Sequence, residues 1–262
     1  MATIDVNNAQ FYYELHGQGD PVVLISGYGG EGVSWTPILS QLAKKFQVLI
    51  FDNRGVGQTI DDGKVLSAKL MADDTVLLCK ALGLQRPHII GRSMGGNIAL
   101  TIAAHYPEYV NKLGILVSSP KWHFSMLNAF AAQIALHENK VAFDICFKAS
   151  MAWLLGNTSW SNHDFMSALK HGMQTQLYPQ SITNQKRQFQ VLQEFDGTQL
   201  LAQVKAATLI IYGNEDITAR ADESKFMASK ITGAQLLEFD CAHLILYEAT
   251  QHLANSLISF LE

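Results

Sequence analysis

Gly91-Arg92-Ser93-Met94-Gly95-Gly96 follows directly on the apolar run His88-Ile89-Ile90 and opens a stretch of helical composition, residues 96–106. A serine flanked by glycines two places before and two places after, at a strand-to-helix turn, is the arrangement that lifts a hydroxyl above the end of a sheet. The flanking residues must be small because strand and helix approach closely there. The start of the helix adds free N–H groups and a partial positive charge beside that hydroxyl. Ser93 is therefore the candidate nucleophile.

Outward from this turn, short runs rich in Val, Ile and Leu recur at residues 22–25, 48–51, 88–90, 113–117, 208–212 and 235–239. Such runs suit strands buried on both faces of a parallel sheet. Helices are expected between them at residues 35–44, 68–82, 96–106, 222–230 and 246–261. Residues 3–6 and 10–14 flank the turn-prone pair Asn7-Asn8 and suggest an opening β-hairpin. The pattern is α/β: a mostly parallel, doubly wound sheet with an N-terminal antiparallel hairpin. The alternation stops at Pro120 and resumes at Thr208, a gap too long for a loop in a compact domain. Residues 1–120 and 207–262 are read as a core domain, and residues 121–206 as a helical cap inserted into it.

A serine hydroxyl is a weak nucleophile, so an acid and a histidine should follow it in that order. His243 comes just after the run 235–239, and Asp216 just after the run 208–212. Both thus emerge at the carboxyl ends of strands, the rim on which Ser93 sits and on which open α/β sheets place their ligands. Glu215 and Asp240 are the rival carboxylates. An oxyanion hole needs two preorganised N–H groups; the amide after the nucleophile, Met94, and that of Tyr28 in Ser26-Gly27-Tyr28-Gly29-Gly30 are the candidates.

Composition excludes several classes. The chain has 262 residues, 48% of them apolar and 16% charged, which rules out disorder. The net charge of −4 comes without a basic block, so no nucleic-acid partner is expected. No apolar run approaches the roughly 20 residues of a membrane span, and none follows a basic segment at the start, so a cytoplasmic protein without a membrane partner is expected. Cys79, Cys146 and Cys241 fit neither a disulfide framework nor a zinc site. No cofactor and no metal are expected.

These motifs resemble those of the α/β-hydrolase fold superfamily, serine-nucleophile branch with a helical cap, along essentially the whole chain. Asp52-Asn53-Arg54-Gly55-Val56-Gly57-Gln58-Thr59 is similar to that family's D-x-R-G-x-G-x-S segment. Asp73-Asp74 before Ala81-Leu82-Gly83-Leu84, and Glu248 five residues after His243, add to the likeness. The Ser-Met-Gly-Gly elbow looks most like carboxylesterases, 3-oxoadipate enol-lactonases and 2-succinyl-cyclohexadiene-carboxylate synthases. The family's usual His-Gly is Ser26-Gly27 here, Ala242 replaces the glycine before the histidine, and Ala219-Arg220 stands where a proline is usual. The resemblance implies a serine hydrolase acting on a small-molecule ester or lactone through an acyl-enzyme. The alternatives are a C–C bond hydrolase or lyase using the same triad, and a non-catalytic ligand receptor.

The insertion is rich in aromatic residues and Met, including Trp122, Trp153 and Trp160, and is expected to set substrate choice while the chemistry stays outside it. Seven Lys or Arg against five Asp or Glu in residues 121–206 make it mildly positive, which allows an acidic acyl carrier protein as partner.

Overall fold

The computed structural model describes residues 2–262. In chain order the elements are β1 (Ala2–Val6), β2 (Ala9–His16), β3 (Pro21–Ile25), α1 (Thr36–Leu42), β4 (Gln47–Phe51), β5 (Ile60–Asp61), α2 (Ala68–Ala81), β6 (His88–Arg92), α3 (Met94–His105) and β7 (Lys112–Leu116). Five helices follow without a strand: α4 (Phe124–Glu138), α5 (Phe143–Leu154), α6 (Asn157–Ser161), α7 (His163–Gln174) and α8 (Ile182–Glu194). The chain then completes the sheet with β8 (Ala207–Gly213), α9 (Ala221–Lys230), β9 (Gln235–Phe239), α10 (Ile245–Glu248) and α11 (Thr250–Leu261).

The main sheet runs β1-β2-β4-β3-β6-β7-β8-β9, with β5 paired to β2. β1, β2 and β4 pair antiparallel, and every neighbour from β4 to β9 is parallel. The hairpin turns at Asn7 and Asn8, both at positive φ (49° and 60°), the conformation a two-residue hairpin demands and asparagine tolerates. The central strand β3 shows why apolar runs suffice as a signal. Val23 and Ile25 enter the cluster beneath α2 and α3, while Val22 and Leu24 enter the one beneath α1, α10 and α11. All four are fully buried, at roughly 1.5–3 kcal/mol each.

The strand order reverses at β3, which lies between β4 and β6. At such a switch point the loops at the carboxyl ends part and leave a crevice, and the Ser93 turn and the loop holding Tyr28 border it.

Three local expectations are corrected. The helix after Ser93 starts at Met94, so Gly95 and Gly96 lie inside its first turn. The helix expected at residues 35–44 is a 3₁₀ turn, Gly32–Trp35, followed by α1, which ends at Leu42. The last helix is broken at Ala249 (φ −133°, ψ 34°), which separates α10 from α11.

The five inserted helices leave and rejoin the sheet side by side. Lys121 and Asp196 form an antiparallel bridge, closed by Lys121 Nζ on Asp196 Oδ2 at 2.7 Å. Trp122, Met126, Phe130 and Ile134 from the start of the insertion share the α2–α3 cluster with Phe189, Val191 and Leu192 from its end. Phe147, Met151 and Leu155 form a smaller cluster of their own.

Candidate active site

Ser93 sits between β6 and α3 at φ 55°, ψ −124°, a backbone conformation that costs a non-glycine residue of order 1–3 kcal/mol. The surroundings hold it there. Its N–H donates to the Leu116 carbonyl at 2.9 Å, and its carbonyl accepts from Ser118 Oγ at 2.7 Å. The motif's second glycine is needed for approach: a Cβ on Gly95 would lie 2.1 Å from the Ile25 carbonyl oxygen.

The structure brings the three predicted side chains together, all buried. His243 Nε2 lies 3.0 Å from Ser93 Oγ, and His243 Nδ1 lies 2.9 Å from Asp216 Oδ2. The other carboxylate oxygen, Asp216 Oδ1, accepts the backbone N–H groups of Thr218 (2.8 Å) and Ala219 (3.0 Å). Those bonds fix the orientation of the carboxylate. An ionised acceptor at Nδ1 leaves Nε2 as the free base facing the serine.

The rival carboxylates point elsewhere. Glu215 Oε2 accepts the Asn157 N–H at 2.8 Å, and Asp240 Oδ1 accepts from Asn214 Nδ2 at 3.1 Å.

The loop after β3 passes directly over the serine, since a Cβ on Gly27 would lie 2.9 Å from Ser93 Cβ. Tyr28 follows in that loop, and Met94 is the first residue of α3, where N–H groups have no partner within the helix. Among the described residues neither amide has an acceptor. The Tyr28 ring packs edge-on against Phe130 (5.1 Å between centroids), which packs in turn against Trp153 (5.0 Å). Burial pushes the Tyr28 phenol well above its usual range, so it stays protonated. Trp122 is placed differently: it is buried and donates Nε1–H to Asn97 Oδ1 at 2.8 Å, an anchor on α3. Trp160 is exposed on α6.

The Asp52–Thr59 segment supports this loop. Asp52 accepts the N–H groups of Gly32 (2.7 Å) and Gln58 (2.8 Å), and Asn53 Nδ2 donates to the Ser26 carbonyl at 3.3 Å. Arg54 forms a buried, two-pronged ion pair with Asp74 at 2.6 and 2.9 Å. Arg92, next to Ser93, has no such partner among the described residues: its Nε is buried without an acceptor, and burial disfavours its charged form.

Sequence reading missed how far the inserted helices hold the loops that carry Asp216 and His243. The Trp153 carbonyl accepts from Thr218 Oγ1 at 2.7 Å, and the Leu154 carbonyl accepts the N–H groups of His243 (3.1 Å) and Leu244 (3.2 Å). Glu248 ties the same segment to the histidine loop. Its Oε1 accepts from Gly156 N–H (2.9 Å) and Ser159 Oγ (2.6 Å), and its Oε2 from Ala242 N–H (3.0 Å). A backbone carbonyl leaves no signature in a sequence, whereas the spacing of Glu248 from His243 was a visible signal without a role attached.

Among the described residues no helix is long and apolar enough to cross a membrane. Residues 20–143 match the family model described as alpha/beta hydrolase fold. The chain is 27% identical over 240 residues to a protein of Azorhizobium caulinodans with the provisional name carbamate hydrolase RutD, covering 89% of this chain and 87% of that one. A protein of the same provisional name from Stutzerimonas stutzeri is 29% identical over 237 residues, covering 86% of each. Among solved structures, the enol-lactonase of Burkholderia xenovorans LB400 superposes with a TM-score of 0.88 at 18% identity, over 99% of both chains. A thermophilic esterase of Thermogutta terrifontis superposes with a TM-score of 0.85 at 21% identity, over 100% of this chain and 98% of that one. Sheet order, the matched family model and the solved structures agree on the architecture: the chain has the alpha/beta hydrolase fold.

Proposed function

We propose that the chain is a cofactor-free serine hydrolase that cleaves a carboxylic ester or lactone through an acyl-enzyme intermediate. Ser93 Oγ attacks the carbonyl carbon while His243 Nε2 takes its proton. Asp216 holds the Nδ1–H tautomer and stabilises the imidazolium that forms. The amides of Tyr28 and Met94 receive the oxyanion of the tetrahedral intermediate. Collapse expels the alkoxide, which takes the proton from Nε2. A water deprotonated by the same nitrogen then attacks the acyl-enzyme, and a second collapse frees the acid and Ser93.

The observation that carries this reading is the hydrogen-bonded line Ser93 Oγ, His243, Asp216, at 3.0 and 2.9 Å, set on a left-handed turn. Residues 121–206 are the cap in this reading, with Phe130 and Trp153 supplying its apolar lining near Tyr28. Three buried, unpaired cysteines suit a reducing compartment, and we place the enzyme in the cytoplasm.

The provisional name of the Azorhizobium and Stutzerimonas relatives favours a second substrate class, carbamates, which the same residues would open through a carbamoyl-serine. One panel separates the two: esters of graded acyl length, lactones and N-substituted carbamates, each with Ser93→Ala as control. Turnover of the esters or lactones that Ser93→Ala abolishes is the expected result. Turnover confined to carbamates selects the second class, and turnover that survives Ser93→Ala overturns both.

A further inference from the structure

We propose that Gln188, in the buried middle of α8, is a positioning residue for the oxyanion loop, so that the inserted helices place the Tyr28 amide as well as the acid and the base. The proposal rests on the reading of Ser93 as nucleophile and of the Tyr28 and Met94 amides as oxyanion donors.

Gln188 is fully buried, and both ends of its carboxamide are used. Oε1 accepts the Gly29 N–H at 2.9 Å, and Nε2 donates to the Arg54 carbonyl at 2.8 Å. The partners fix which end is which, because a backbone N–H must meet the oxygen and a carbonyl must meet the nitrogen. α8 starts where the Ser181 side chain caps the Asn184 amide, which puts position 188 about two turns into the helix. Its neighbours Phe189, Val191 and Leu192 belong to the core cluster, so the helix cannot roll to move the amide away.

The two ends of Gln188 meet backbone of unequal stiffness. Arg54 is clamped by its ion pair with Asp74. Gly27 to Gly30 is a four-residue turn, closed by Gly30 N–H on the Gly27 carbonyl at 3.1 Å, with Gly29 at φ 66° as a type II turn requires. Tyr28 therefore has a glycine on each side, and its backbone is soft. The turn's central amide, Gly29 N–H, is left out of the closing bond, and Gln188 takes it. A second side chain from the same region flanks the turn: Gln180 Oε1 lies 3.3 Å from the place a Cβ on Gly29 would occupy, while Gln180 Nε2 donates to the Gly55 carbonyl at 2.9 Å. Gln188 is thus a strut from a fixed point to a flexible one. Oxyanion donors act only when held within about 0.5 Å of their working place. Loss of the strut should slow the step in which negative charge develops and leave substrate capture nearly intact.

Phosphonylation of Ser93 by a fluorophosphonate reads that step without knowledge of the natural substrate, because the attacked phosphoryl oxygen gains charge in the same place. The experiment measures kinact and KI for the full chain and for Gln188→Met, Gln188→Glu and Gln188→Asn, with peptide mapping of the adduct and a melting curve for each. In Gln188→Met, which keeps the volume and loses both bonds, kinact should fall roughly 10- to 100-fold, with KI changed less than about threefold. Gln188→Glu keeps the acceptor for Gly29 N–H but loses the donor to the Arg54 carbonyl, and its kinact should fall between wild type and Gln188→Met. Gln188→Asn, one methylene short, should behave like Gln188→Met and decides the matter if that variant does not fold. An unchanged kinact in a folded Met or Asn variant, or an equal fall in Gln188→Glu, overturns the proposal and leaves the serine-hydrolase reading standing. Wild-type protein that takes no adduct on Ser93 overturns that reading and the strut with it.

Discussion

The backbone N–H of His243 donates to the carbonyl of Leu154 at 3.1 Å, so the histidine proposed as general base hangs from the end of an inserted helix. The adjacent carbonyl, Trp153, holds Thr218, two residues past Asp216. The insertion therefore reaches the Asp216 and His243 loops through its main chain, a contact separate from the substrate choice proposed for it.

Glu248 is the side chain through which this attachment can be tested. Its carboxylate takes the Gly156 and Ala242 amides and the Ser159 hydroxyl, and truncation leaves those donors without an acceptor. Glu248→Ala should lose about 1–3 kcal/mol of stability by denaturant titration, and kcat should fall at least roughly tenfold at temperatures where the variant is folded. Glu248→Gln keeps one acceptor oxygen and should lose less on both scales. A folded Glu248→Ala with normal kcat would show that the main-chain contacts suffice alone.

The assignment of the acid is tested by three isosteric changes. Asp216→Asn presents an amide that favours the wrong tautomer of His243, and kcat should fall by about two to four orders of magnitude. Glu215→Gln and Asp240→Asn alter groups that bond Asn157 and Asn214, and each should cost less than about tenfold. A crippled Asp240→Asn beside a nearly normal Asp216→Asn reverses the assignment.

The three tryptophans of the insertion should separate into three behaviours. Trp153 packs on Phe130, which packs in turn on Tyr28, and if the proposed acyl site lies there Trp153→Ala should move acyl-length preference by roughly 1–3 kcal/mol. Trp122→Ala leaves a cavity and strands Asn97 Oδ1, so a loss of about 3–5 kcal/mol in stability is expected, with unchanged preference. Exposed Trp160 should tolerate alanine on both counts. Specificity ratios and melting curves on the same three proteins decide the matter.

Acid titration should single out the pair at the base of the insertion. Lys121 and the Thr198 hydroxyl and amide hold the Asp196 carboxyl down at about 2, below its ordinary value of 3.8. A depressed carboxylate contributes stability that is fully present above its unfolded pKa and lost as pH falls through the folded one. Asp196→Asn should therefore cost stability at neutral pH, with the difference from wild type closing between pH 3.8 and about 2. Both side chains are largely in water, so the cost should stay below about 1 kcal/mol. A difference that grew on acidification would give the shift the opposite sign.

The sequence made the sheet legible because β3, β4, β6, β7 and β8 are buried on both faces, which leaves unbroken apolar runs. Ser93 and Asp216 were legible because each sits just beyond such a run. His243 follows β9, an edge strand exposed along much of its length against the expectation of burial on both faces, and was legible from its order after Ser93 and Asp216. β5 was not, since two residues carry no periodicity. The break at Ala249 was hidden because Leu246, Ala249 and Leu253 keep helical spacing across it. The carbonyls of Trp153 and Leu154 belong to every residue type and have no code. Gln188 lies in Asn184-Gln185-Lys186-Arg187-Gln188, where nothing distinguishes a buried amide from its solvated neighbours.

The bridge between Lys121 and Asp196 makes the insertion a cassette whose two ports lie side by side. Such a cassette can be exchanged between relatives without pulling the sheet apart, and that is a simple route to new specificities. Here the exchange has a toll. A graft must arrive with two carbonyls for the acid and histidine loops and an amide for Glu248, at the right depth. A chimera chosen only for the shape of its pocket would inherit Asp216 and His243 loops with nothing to hang from.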